Sequence, residues 1–165
     1  MAWTDSRMFL EFIRINSLKD PDATAPTGYG NLQADNLKAA LFNNSVTPDR
    51  DAAVGDTGYN TGTWLVANEV DDGTNWDAGG EPVTGGAITD QGSGVVQFDA
   101  TDTPQGGAST TLSDVHGCLV YDDDITGGTV ADQGISYHYF GGAQSVTSGT
   151  FTVVWHSNGL FRITV

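Results

Sequence analysis

Positive charge is the scarcest chemistry in this sequence. Six Lys and Arg stand against 21 Asp and Glu, a formal net charge of −15. Arg7, Arg14, Lys19, Lys38 and Arg50 all precede residue 51, and only Arg162 follows. Such a field repels phosphate backbones and anionic lipid, which argues against nucleic acid and membrane surfaces as partners. It favours solubility, or a face that docks on a basic partner or binds cations. A lone cysteine, Cys118, excludes an intramolecular disulfide and a thiol-rich metal site. Its apolar neighbours mark it as an inert core thiol rather than a nucleophile. No apolar run is long enough to cross a bilayer. Asp5, Arg7 and Glu11 interrupt what would be the apolar part of a signal peptide. The expected setting is therefore a reducing cytoplasm.

Catalytic signatures are missing too. The chain has no P-loop, dinucleotide fingerprint, zincin pair or nucleophile elbow. His116, His138 and His156 fall on three separate expected strands and read as outward-facing side chains rather than a metal site. Asp122, Asp124 and Thr126 before Gly127 imitate the opening of a calcium loop, and Asp122 and Asp124 are its candidate ligands. The pattern then fails, because Gln133 stands where a bidentate glutamate is needed. The expectation is a solvated turn and no cofactor.

What remains is a sequence of short strands and turns. The 22 glycines among 165 residues, with abundant Thr, Asp and Ser, suit a sandwich better than a helical bundle. The length fits one domain able to bury a sizeable core. Alternation predicts strands in NLKAALFNN, GVVQFDA, the run from Val115 to Tyr121, ISYHYFGG and TFTVVWHSNGLFRITV. In the last run, Ser157-Asn158-Gly159 predicts a tight hairpin between Phe151–His156 and Phe161–Val165. TWLVANEV reads as a strand or a short helical turn. The expected fold is an all-β antiparallel sandwich, jelly-roll-like, over 32–165, preceded by an arm and linker over 1–31.

Met8, Phe9, Phe12 and Ile13 are spaced as one helical stripe, predicting a short helix capped by Asp5 or Thr4 and running to about Asn16, with strand as the alternative because Phe and Ile also favour extended backbone. A helix of that length needs a surface to lie on. Trp3, Arg7, Met8, Phe9, Phe12 and Arg14 are therefore candidate contacts with a sister subunit or another protein. The alternative is that they cover an edge of their own sandwich. Trp64 and Trp76, in long loops, are further candidate contacts.

The order NLKAALFNN, WDAGGEPVTGGAIT, VVQFDA, CLVYDDDITGG, ISYHYFGG, AQSVTSGTFTVVW and NGLFRITV resembles a group of tailed-bacteriophage virion proteins. The resemblance covers about Asn36 to Val165 and is carried by strands and turns, not by a catalytic motif. It implies a non-enzymatic β-sandwich in the virion, made in the host cytoplasm. The implied role is a capsid decoration (cement) protein on the outer surface of the major capsid protein shell. It would act as a homo-oligomer, a trimer first. A tail or head-fibre component and a carbohydrate-binding module are the alternatives.

Overall fold

The structure is a computed structural model that describes residues 3–9 and 31–164. Its strands are β1 (Arg7–Met8), β2 (Leu37–Phe42), β3 (Glu81–Val83), β4 (Ala87–Gly92), β5 (Val95–Asp99), β6 (Thr103–Asp122), β7 (Gln133–Val153) and β8 (Phe161–Thr164). They form two antiparallel sheets, consistent with the expected sandwich. The larger sheet runs β1-β7-β6-β2-β3 and the smaller β4-β5-β8.

β2 sits inside the larger sheet, between β6 and β3. Its residues LKAALF are accordingly apolar on both faces, and only Lys38 is not fully buried. The Lys38 ammonium leaves the sheet to meet Asp123 at 3.0 Å. Phe98 of the smaller sheet, with Trp155 and Leu160 from the β7–β8 connection, belongs to one core with Leu41, Trp64 and Tyr137.

β6 and β7 differ most from expectation in length. They contain 20 and 21 residues, so segments read separately from the sequence are continuous strands. The β6–β7 register shifts at five places between Gln105 and Tyr121. Each extra residue bends a strand and resets its alternation, which hides the continuity from a period-two reading. TWLVANEV contains a 3-10 turn at Val66–Asn68, one of the two expected forms.

The closing hairpin is corrected. β8 pairs with β5, not with β7: Val96 lies opposite Ile163 and Phe98 opposite Phe161. The turn itself forms, with the Gly159 N–H donating to the His156 carbonyl at 2.7 Å. What differs is the approach. The Trp155 N–H donates to Asp102 and its indole N–H to the Thr101 carbonyl, at 2.9 and 3.1 Å. These bonds take the chain off β7 before the turn, and the turn delivers it to the other sheet.

Over its described part, the N-terminal stretch takes the strand alternative in place of the expected helix. Arg7 and Met8 form a strand opposite Tyr137 and Ser136 of β7. The open edge of β7 offers backbone hydrogen-bonding groups that an edge strand satisfies. The remainder of that expected helix, with Phe12 and Arg14, lies outside the described residues. No helix among the described residues is long and apolar enough to cross a membrane.

Candidate functional site

The N-terminal candidates divide by side-chain direction. The Phe9 N–H continues the β1 pairing to the Ile135 carbonyl at 3.3 Å, and the Tyr139 N–H donates to the Ser6 hydroxyl at 2.7 Å. This places Arg7 outward, its guanidinium 3.0 Å from Asp5, and Met8 half-buried. Trp3 and Phe9 turn inward and are buried. Around Trp64, which is fully enclosed, they form an aromatic box. Ring centroids of Trp3, Phe9, Phe42 and Tyr137 lie 5.7, 6.0, 5.3 and 5.9 Å from that of Trp64. The Trp3 indole N–H is spent on the Asn43 carbonyl at 2.9 Å. The contact role expected for Trp3, Phe9 and Trp64 is therefore corrected, since their apolar surface is consumed inside the fold.

Two glycines make the slots for this arm, and sequence reasoning passed over both. A Cβ at Gly117 would lie 2.7 Å from the Trp3 ring, and one at Gly134 would lie 2.6 Å from Phe9. The HGC and QGI steps carried that signal, because glycine within a strand marks close approach.

Trp76 is corrected on the same ground. It is buried, edge-on to Phe151 at 5.8 Å, with its indole N–H directed to the Phe151 carbonyl at 3.4 Å. The Asp72 carboxylate holds the loop by accepting backbone N–H groups of Thr74, Asn75 and Trp76. Those donors keep its pKa below the usual carboxylate range.

The acidic turn after β6 is arranged unlike a calcium loop. Both Asp124 oxygens accept from Asn36, from its backbone and side-chain amides at 2.9 and 3.0 Å. Asp122 is fully buried. One of its oxygens accepts the Asp124 N–H at 3.1 Å, while the other meets no donor and has only the Asp35 carboxylate beside it. Burial, with the nearby Asp35 and Asp124 carboxylates, pushes Asp122 up to about 7. Across the sheet, Gln133 is buried with its side-chain amide unpartnered. Among the described residues, no group of three or more His, Cys, Asp or Glu is placed to hold a metal ion. The geometry of Asp122 suits a retained proton.

Cys118 is fully buried, and desolvation raises its thiol pKa. Of the histidines, His116 and His138 depart from the expected outward setting. The His116 side chain is only 14% exposed and lies 3.0 Å from the Asp114 carboxylate. His138 lies half-buried, 2.9 Å from the Ser136 hydroxyl and edge-on to Trp155 at 5.2 Å.

Five large apolar side chains stay exposed: Leu65 and Val66 in the loop after β2, Val154 just past β7, and Ile88 and Val96 on the smaller sheet. Cross-strand partners put Ile88, Phe98 and Phe161 in one row of a face, and Asp90, Val96 and Ile163 in the next. Phe98 is buried, yet Ile88 and Val96 are 46% and 42% exposed. The face is thus covered at Phe98 and open at Ile88 on the edge strand β4 and at Val96 in the next row. No protein-family model matches this chain, and neither does any curated protein or solved structure.

Proposed function

We propose that this protein is a non-enzymatic structural component of a tailed-phage particle, a decoration protein on the outer surface of the major capsid protein shell. The observation that carries this reading is the partly uncovered face of the smaller sheet, where Ile88 and Val96 are nearly half exposed. Apolar side chains grouped on one sheet face favour burial against another protein. The net charge of −15 supports it, because strong like charge keeps a many-copy protein from associating non-specifically. The resemblance in strand and turn order from Asn36 onward supplies the identity of the partner. A homo-oligomer, a trimer first, belongs to the same reading, as does residence in the virion after synthesis in the host cytoplasm. The sandwich of such a component is jelly-roll-like.

The test is to mix the purified protein with DNA-filled, tailless heads and image the sedimented particles. Added density at repeated positions on the outer shell is expected. Density confined to tails or fibres, or no binding, would contradict the assignment.

A carbohydrate-binding role is the second reading, favoured by one groove. It is about 440 Å³ and is lined by Tyr139, Phe140, Gln144 and Phe151. Aromatic faces beside amide and hydroxyl groups suit a sugar. Saturable binding on a glycan array would move the assignment there.

A further inference from the structure

Cations are rare in this chain, yet half of them meet at one place. A cleft of about 490 Å³ is lined by Arg7, Arg50 and Arg162, with Asp51 as its one acidic residue. Acidic residues outnumber basic ones 21 to 6 in the whole chain, so a wall with three arginines and one aspartate inverts the composition. The three come from separate elements: Arg7 from β1, Arg50 from the loop after β2, and Arg162 from β8. β1 and β8 are edge strands of different sheets, and the cleft lies where those edges meet.

Charged side chains also protect open edges from pairing with other chains. That accounts for Arg7 and Arg162, but Arg50 lies on no strand and guards no edge. Arg162 is moreover positioned rather than loose. Its Nε and Nη2 donate to the Gln97 side-chain oxygen at 3.0 and 2.7 Å, and Gln97 itself is buried. A neutral acceptor fixes the guanidinium without cancelling its charge. Arg7 and Arg50 each face one carboxylate, Asp5 at 3.0 Å and Asp51 at 3.5 Å. A guanidinium carries five donors, so both retain free ones. Leu160, Phe161 and Met8 supply apolar wall, where charge-assisted hydrogen bonds are stronger than in open water.

We propose that this cleft is an oxyanion site, taking one carboxylate or phosphate group on the guanidinium groups of Arg7, Arg50 and Arg162. The planar guanidinium fork matches both oxyanions, and the cleft has the volume of a small-molecule site. Repulsion from the rest of the acidic body is screened beyond roughly 8 Å at physiological salt, so the nearby arginines dominate. The proposal does not rest on the virion reading.

Inorganic phosphate and succinate are the probes, titrated separately into the full-length protein at constant ionic strength. The arginine Nε–H resonances report binding. Saturable shifts at Arg7, Arg50 and Arg162 are expected with at least one anion. Preference for phosphate assigns a phosphate-bearing small molecule, and preference for succinate assigns a carboxylate source. Arg50→Gln, in an exposed loop, should weaken binding about tenfold, and Asp51→Asn should tighten it several-fold by removing the competing carboxylate. Shifts that never saturate with either anion, or a curve unchanged in Arg50→Gln, would overturn the site.

Discussion

The two sheets use aromatic and aliphatic side chains in opposite ways. The larger sheet closes over Trp64, with Trp3, Phe9, Phe42 and Tyr137 packed around it. The smaller sheet buries Phe98 but leaves Ile88 and Val96 half in solvent. Apolar surface inside the first holds the chain folded, while apolar surface on the second is available for contact. Residue type alone cannot assign these roles. A tryptophan in a Gly-rich loop looks like a contact residue until the glycines that admit it are located.

The sharpest way to break this contrast is to empty the aromatic box. Trp64→Ala should cost about 3–5 kcal/mol, as large-to-small changes at buried aromatics do. Denaturant unfolding would measure it, and a loss below about 1 kcal/mol would mean that the box contributes little. Next in size is Gly134→Ala, whose Cβ would meet the Thr57 carbonyl oxygen and the Phe9 ring. A loss of about 2–3 kcal/mol is expected from overpacking, read from the same unfolding curves.

A smaller effect comes from Asp122. Its folded pKa is raised to about 7, by burial first and then by Asp35 and Asp124. The folded chain therefore holds this proton more tightly than the unfolded chain. Its stabilising contribution is fully present below about pH 4 and fades as pH rises towards 7. Acidification also relieves general repulsion among carboxylates, so the informative quantity is the difference between proteins. Stability measured from pH 7.5 to 4.5 should rise less steeply in Asp122→Asn than in the native chain. Parallel curves would contradict the assignment. Smallest in stability is the double change Ile88→Asp with Val96→Asp, expected to shift unfolding by less than about 1 kcal/mol. The same variant should lose binding to heads in sedimentation, which separates contact surface from folding surface.

Much of the larger sheet was legible in the sequence. The LKAALF run of β2 and the CLVY run of β6 are apolar on both faces, which marks strands inside a sheet. The continuity of β6 and β7 was not legible, because bulges reset the alternation that would reveal it. The Asn158-Gly159 signal located a reversal but not its partner. A turn sets local direction, while Trp155 and its bonds to Thr101 and Asp102 decide which sheet receives the chain. The apolar spacing around Met8 and Phe9 satisfied a helix as well as a strand, and the open edge of β7 settled it. The arginine cleft was invisible for another reason: its members are far apart in sequence and become neighbours only when two sheet edges meet.

The central claim is that the segment from Trp3 to Phe9 belongs to the body of the domain rather than to a detachable arm. Its most direct test is the unfolding of a chain lacking residues 1–9. Trp3 and Phe9 together represent roughly 6 kcal/mol or more of buried aromatic packing. A typical domain has only about 5–15 kcal/mol in total. The shortened chain is expected to lose its cooperative thermal transition or to melt far below the full-length protein. A transition at the unchanged temperature would show that the aromatic box closes without its N-terminal strand, and would contradict the claim.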